Sequence, residues 1–157
     1  MDYEDRILNK ARELFLKNGL RSVSMDDIAR KLGMSKKTIY KDYKNKKDII
    51  NTITEKFLLN HKQEYDMLIS ASKNAVDELL KLMENLNNVF ERLSPRIIFD
   101  LQRYFPEAWQ TFKEYKISFL LSKITENLKR GIGEGLFRKD INVEIIARMC
   151  LEQIQIA

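Results

Sequence analysis

With a single cysteine, Cys150, the chain can form no internal disulfide and no cysteine-based metal site. Its one histidine, His61, cannot complete a typical structural zinc site either. Only two prolines and five glycines punctuate 157 residues. A sheet of many short strands needs more turn residues than that, so the shortage favours long helices. No apolar run approaches the roughly 18 residues that cross a bilayer. The opening segment MDYEDRILNK is acidic and polar where a signal peptide would carry an apolar centre. These gaps fit a soluble, cytoplasmic, all-α protein.

Catalytic constellations are missing as well. His61 has no nucleophile or acid motif around it, and the carboxylates are scattered among lysines in the manner of surface ion pairs. An exposed or locally satisfied ring is the simpler reading of His61, although it could protonate near neutral pH or bond an effector. Gly131-x-Gly133-x-Gly135 has no preceding strand and no following Lys-Ser/Thr, so it reads as a helix terminator and not as a phosphate loop. Cys150 is most simply a small apolar residue, with redox sensing as the alternative. No enzyme activity, metal or cofactor is expected.

What the chain does have is misplaced charge. Residues 1–60 hold 14 Lys and Arg against 9 Asp and Glu, while residues 61–157 hold 14 of each, so the net +5 lies entirely in the first third. Between Arg30 and Lys47 there are eight basic residues and one acid, Asp42. A polyanion-binding module joined to a neutral domain has this asymmetry.

Helical periodicity supplies the frame. Ile7, Leu8, Ala11, Leu14 and Phe15 recur at three- and four-residue spacing and end at Asn18-Gly19. Ser24 opens a brief second helix as N-cap, with Asp27 three residues on; Ile28, Ala29 and Leu32 face inward and Gly33 stops it. Ser35 caps the next helix at once. Helix, short glycine-containing turn, helix is the signature of a helix-turn-helix. The third helix, taken as 36–43, buries Ile39 and Tyr43 and leaves Lys36, Lys37, Thr38, Tyr40 and Lys41 outward. Asn45 caps a fourth helix running to about Ser70. Others follow from Ala75 to Leu93, from Ser94-Pro95, from Pro106 to about Arg130, and from Asn142 to the last residue without a stop signal.

The pattern Ala11-x-x-Leu14-Phe15-x-x-x-Gly19, Ser24-x-x-x-Ile28-Ala29, Gly33-x-Ser35-x-x-Thr38-Ile39-Tyr40, Asn45-Lys46 and Asp48-Ile49 resembles the TetR family of bacterial transcriptional regulators. A weaker echo, Gly131 to Arg138, is similar to the connector after that family's seventh helix. The resemblance implies a three-helix DNA-binding domain over residues 1–47 and a helical effector-binding and dimerisation domain over 48–157. It also implies a homodimeric, ligand-responsive repressor on a pseudo-palindromic operator. The family often has His or Tyr where this chain has Asp42, and an acid there would repel phosphate.

A helix-turn-helix reads DNA by laying its second helix in the major groove, with the N-terminal residues at the base edges. Lys36 and Lys37 can reach guanine O6 and N7 or a flanking phosphate; Thr38 can bond phosphate or touch a thymine methyl; Tyr40 offers its hydroxyl and Lys41 follows. Lys46 resembles the family's phosphate clamp, and Ser24 is placed to meet a phosphate at the start of the second helix. By the same resemblance Trp109, Phe112, Tyr115 and Phe119 would form a wall of a pocket for a small hydrophobic effector, with Met67, Met83 and Phe90 lining it from neighbouring helices. Aromatic residues at helical spacing are otherwise plain core. Residues 142–157 would supply dimer contacts. The competing reading is a basic helical protein that binds an acidic partner or an anionic membrane surface without reading sequence.

Overall fold

The computed structural model describes residues 3–92 and 94–153, and the side chains of 87–93 lie outside that description. The side chain of Phe90, expected at the effector pocket, and the end of the final helix at Ala157 therefore lie outside that description. Among those described the fold is all-α, without a strand. Its helices are α1 (Tyr3–Asn18), α2 (Met25–Leu32), α3 (Lys36–Ile39), α4 (Lys46–Ser70), α5 (Ala75–Arg92), α6 (Pro95–Tyr104), α7 (Pro106–Glu114), α8 (Leu121–Gly133) and α9 (Val143–Gln153). None is long and apolar enough to cross a membrane.

The chain packs as two compact units, one of Met1–Phe57 with Leu93–Thr111, the other of Leu58–Arg92 with Phe112–Ala157. This packing division differs from the 1–47 and 48–157 division expected from the resemblance. In the first unit the α1 stripe of Ile7, Leu8, Ala11, Leu14 and Phe15 meets Ile28 and Ala29 of α2, Ile39, Tyr43, and Ile49 and Ile50 of α4. Ile97 and Leu101 of α6, Phe105 and Ala108 complete the same core. Ile7, Ile28, Ile39 and Ile49 are wholly buried, each contributing about 1.5–3 kcal/mol by removal from water. The sequence pattern assigns residues 93–111 to the later helices because periodicity marks a buried face without naming its partner.

In the second unit α8 packs against α5 and α9. Asn127 of α8 donates through Nδ2 to the Ala75 carbonyl (3.0 Å), and Glu134 accepts the Ala75 N–H (2.8 Å), so both polar groups at the first residue of α5 are satisfied. Arg130 bridges Glu78, which is buried, and Glu134, at 3.1 and 2.6 Å. The Gly131–Gly135 segment does end α8: the N–H groups of Leu136 and Phe137 return to the Gly131 carbonyl at 2.9 and 3.0 Å.

Two elements depart from expectation. The third helix closes at Ile39, not Tyr43, because its bonding tightens to i→i+3 (Lys41 N–H to Thr38, Asp42 N–H to Ile39). Tyr43 nonetheless returns its N–H to Ile39 at 3.0 Å, which keeps both side chains on the buried face. The helix expected from Pro106 to about Arg130 is instead interrupted at Tyr115–Leu120 by a π-helical segment.

Candidate nucleic-acid interface

Local chemistry builds the turn residue by residue. Ser24, extended at φ −102° and ψ 166°, accepts the Asp27 N–H through its hydroxyl at 3.2 Å while the Asp27 carboxylate accepts the Ser24 N–H at 2.9 Å, a reciprocal capping box. These bonds hold the Asp27 carboxyl below the usual range. Gly33 at φ +65° lets the chain leave α2 in the left-handed conformation, which an L side chain adopts only at a cost. Ser35 then caps α3 by accepting the Thr38 N–H at 3.1 Å. Below the surface Ile39 is wholly buried, and the Tyr43 hydroxyl donates to Glu4 of α1 at 3.0 Å. Burial and that carboxylate push the Tyr43 phenol up.

Above this anchored layer Lys36, Lys37, Tyr40 and Lys41 are exposed and Thr38 is half-buried. Lys36 pairs with Asp26, in the first turn of α2, at 2.5 Å, and the Thr38 and Ser35 hydroxyls lie 2.7 Å apart. The five residues expected to read DNA therefore lie together on α3 and the turn after it. Asp42 stands among them, exposed. The Ser24 hydroxyl also donates to Asp27 at 2.6 Å, so in the free protein it serves its own helix.

Lys46 sits differently from the clamp that the sequence suggests. Its ammonium turns inward and donates to the carbonyls of Leu20, Val23 and Arg21 at 2.9, 2.8 and 3.2 Å. Burial lowers its pKa, against the pull of the Asp100 carboxylate. Asp100, itself buried on α6, accepts the N–H groups of Leu20 and Arg21 at 3.0 and 3.3 Å. Sequence reasoning missed Asp100, although a signal was there: it lies on the stripe of Ile97, Ile98 and Leu101, where a charge needs dedicated partners.

The residues proposed to line an effector pocket do not all converge. Tyr115 and Phe119, both within the π-helical segment, stack at 5.2 Å, and Phe119 meets Tyr65 edge-on at 5.6 Å. The His61 Nδ1 bonds the Tyr115 hydroxyl inside this cluster, so His61 is buried rather than exposed. Its pKa is lowered by burial, against Glu64 and Asn85, which raise it. Burial likewise raises the phenols of Tyr65 and Tyr115. Met67 and Met83 are 64% and 56% exposed, being out of phase with Tyr65 and Leu82 on their helices. Phe112 is half-buried, and Trp109 packs on the core of the first unit. Among the described residues no group of His, Cys, Asp and Glu is arranged to hold a metal ion.

Comparison with known proteins bears on the capped turn first. Residues 7–53 match the family model of bacterial regulatory proteins, tetR family. The uncharacterized HTH-type transcriptional regulator YvaF of Bacillus subtilis is 29% identical over 113 residues, 71% of this chain and 59% of that protein, so the chain spans under two thirds of this relative's length. The HTH-type transcriptional repressor KstR2 of Mycobacterium tuberculosis is 23% identical over 90% of this chain and 72% of its own. The fold is shared with the transcriptional regulator FadR of Bacillus subtilis, solved in complex with stearoyl-CoA, at TM-score 0.74 and 22% identity over 95% of this chain and 81% of that one. Capping box, left-handed glycine, second cap and buried anchors thus coincide with the matched segment, and residues 7–53 form a helix-turn-helix that matches the tetR-family model.

Proposed function

We propose that this chain is a ligand-responsive transcriptional repressor that binds a pseudo-palindromic operator as a homodimer. The observation that carries the proposal is the exposed layer of Lys36, Lys37, Tyr40 and Lys41, set on the buried pair Ile39 and Tyr43 directly after a doubly capped turn. Residues 1–47 would bind DNA and residues 48–157 would take the effector and the partner subunit. The relatives support the finer reading: one is named a repressor, and another was solved with stearoyl-CoA. By analogy the effector here is small and hydrophobic, and Tyr115 and Phe119 are its first candidate contacts. Exposed Ile145 and Met149 on α9 support a second copy as the partner of that helix.

Two recognition helices must lie about 34 Å apart, one turn of DNA, to engage both half-sites. An effector that alters this separation lowers DNA affinity, and bound DNA lowers effector affinity by the same factor. Selection of bound sequences from random duplex DNA tests the reading. A palindromic consensus with half-sites one turn apart is expected. If random DNA competes as well as the selected sequence at physiological salt, the repressor assignment fails, and binding to an acidic partner or anionic membrane takes its place.

A further inference from the structure

Beside the helix-turn-helix lies a cleft of about 380 Å³ lined by Arg21, Ser22, Arg96, Phe99 and Asp100. None of these belongs to the contacts expected from the motif. Arg21 and Ser22 come from the connector between α1 and α2, and the other three from α6. Both arginines are exposed, and among the described residues neither makes an ion pair with a carboxylate side chain. The one acid in the cleft, Asp100, is buried and already accepts the Leu20 and Arg21 N–H groups.

Each guanidinium is held in place. Arg21 lies 4.5 Å over the Tyr104 ring and donates to its hydroxyl at 3.1 Å. Arg96 donates to the Ser22 hydroxyl at 2.9 Å. It also lies so close over Gly19 that a Cβ there would come within 2.5 Å of its Nε. Gly19, at φ +84°, thus gives both the turn and the room. A guanidinium has five N–H donors, and the bonds named here use one on each arginine. Ser22 stands two residues before Ser24, the cap of the helix that crosses the DNA backbone in a helix-turn-helix.

We propose that Arg21 and Arg96 form a phosphate site that extends the DNA-backbone footprint from the helix-turn-helix onto α6. The proposal rests on the DNA-binding reading above. It places a DNA contact on a helix far from the motif in sequence. Because a phosphate contact carries no base information, both arginines strengthen specific and random DNA alike.

The test is the salt dependence of operator binding by the full chain and by its Arg21→Gln and Arg96→Gln variants, with Arg96→Lys as a charge-retaining control. Each Gln variant is expected to lower the log–log slope by about 0.9 for each phosphate it no longer neutralises. Each should weaken random and selected DNA by the same factor, with an unchanged melting temperature, and the Lys control should keep the slope. Unchanged slopes in both Gln variants, with wild-type binding intact, overturn the phosphate site alone. No wild-type binding to any duplex overturns the DNA reading and this site with it. Stabilisation of wild type but not Arg96→Gln by millimolar inorganic phosphate, with unchanged DNA slopes, would also overturn it in favour of a small-anion site.

Discussion

Asp100 and Lys46 grip one strand of chain from its two chemical sides. The carboxylate takes the N–H groups of Leu20 and Arg21, and the ammonium gives to the carbonyls of Leu20, Arg21 and Val23. Replacing Asp100 with Ala leaves two backbone donors without that acceptor and a half-buried cation without its nearby negative charge. The expected loss is about 1.5–3 kcal/mol for hydrogen bonds to a charged group, read from denaturant unfolding. Asp100→Asn keeps an acceptor and should cost less. Equal stability of wild type and the Ala variant would show the grip to be energetically idle.

Lys46 separates two roles that the sequence could not. Lys46→Met removes three bonds to the connector, so stability and DNA affinity should fall together. A variant that unfolds at the wild-type denaturant midpoint but loses operator affinity would make the lysine a phosphate ligand first.

At the exposed layer, Lys36→Ala with Lys37→Ala should weaken operator binding and lower its salt slope by about 0.9 per phosphate left without its lysine. Melting temperature should hardly move, because both lysines are exposed and the ion pair of Lys36 with Asp26 is a surface pair. A gel-shift titration identical to wild type at every salt concentration would remove both from the interface.

Gly33 isolates backbone strain from packing. A Cβ built there meets nothing within 4 Å, yet φ is +65°. Gly33→Ala should therefore destabilise by about 1–2 kcal/mol through conformation alone, and Gly33→Asn by less. A neutral Gly33→Ala would mean that the turn can relax out of the left-handed region.

His61 predicts a pH dependence. Burial lowers its folded-state pKa below the ordinary 6.5, against Glu64 and Asn85. The folded state therefore favours the neutral ring, and the unfolded chain takes up the proton first as pH falls. This contribution is complete above about 6.5 and is lost as pH drops through that value toward the folded pKa. Melting temperatures from pH 7.5 to 5 should fall more steeply for wild type than for His61→Gln. Parallel curves would contradict it.

Much of the first unit is legible because its signals are local. Ser24 with Asp27, Gly33 and Ser35 declare caps and a turn within a dozen residues, and the α1 stripe declares its face by spacing alone. What escapes depends on partners distant in sequence. Ile97, Leu101 and Phe105 have the spacing of any buried stripe, and nothing in that spacing says that they complete the core around Ile39. His61 and Tyr115 are 54 residues apart, so their bond has no sequence signature. Met67 and Met83 group with the aromatics by composition, whereas helical phase turns them to solvent.

The π-helical segment at Tyr115–Leu120 also carries information in its length. An extra residue wound as ordinary α-helix would rotate everything after it by about 100° about the helix axis, and the wide π turn absorbs it. Wound as an ordinary α-helix, the same residues would set the buried stripe of α8 out of phase with α5 and α9. At this point the chain stores orientation as arithmetic, and one wide turn keeps the count in step.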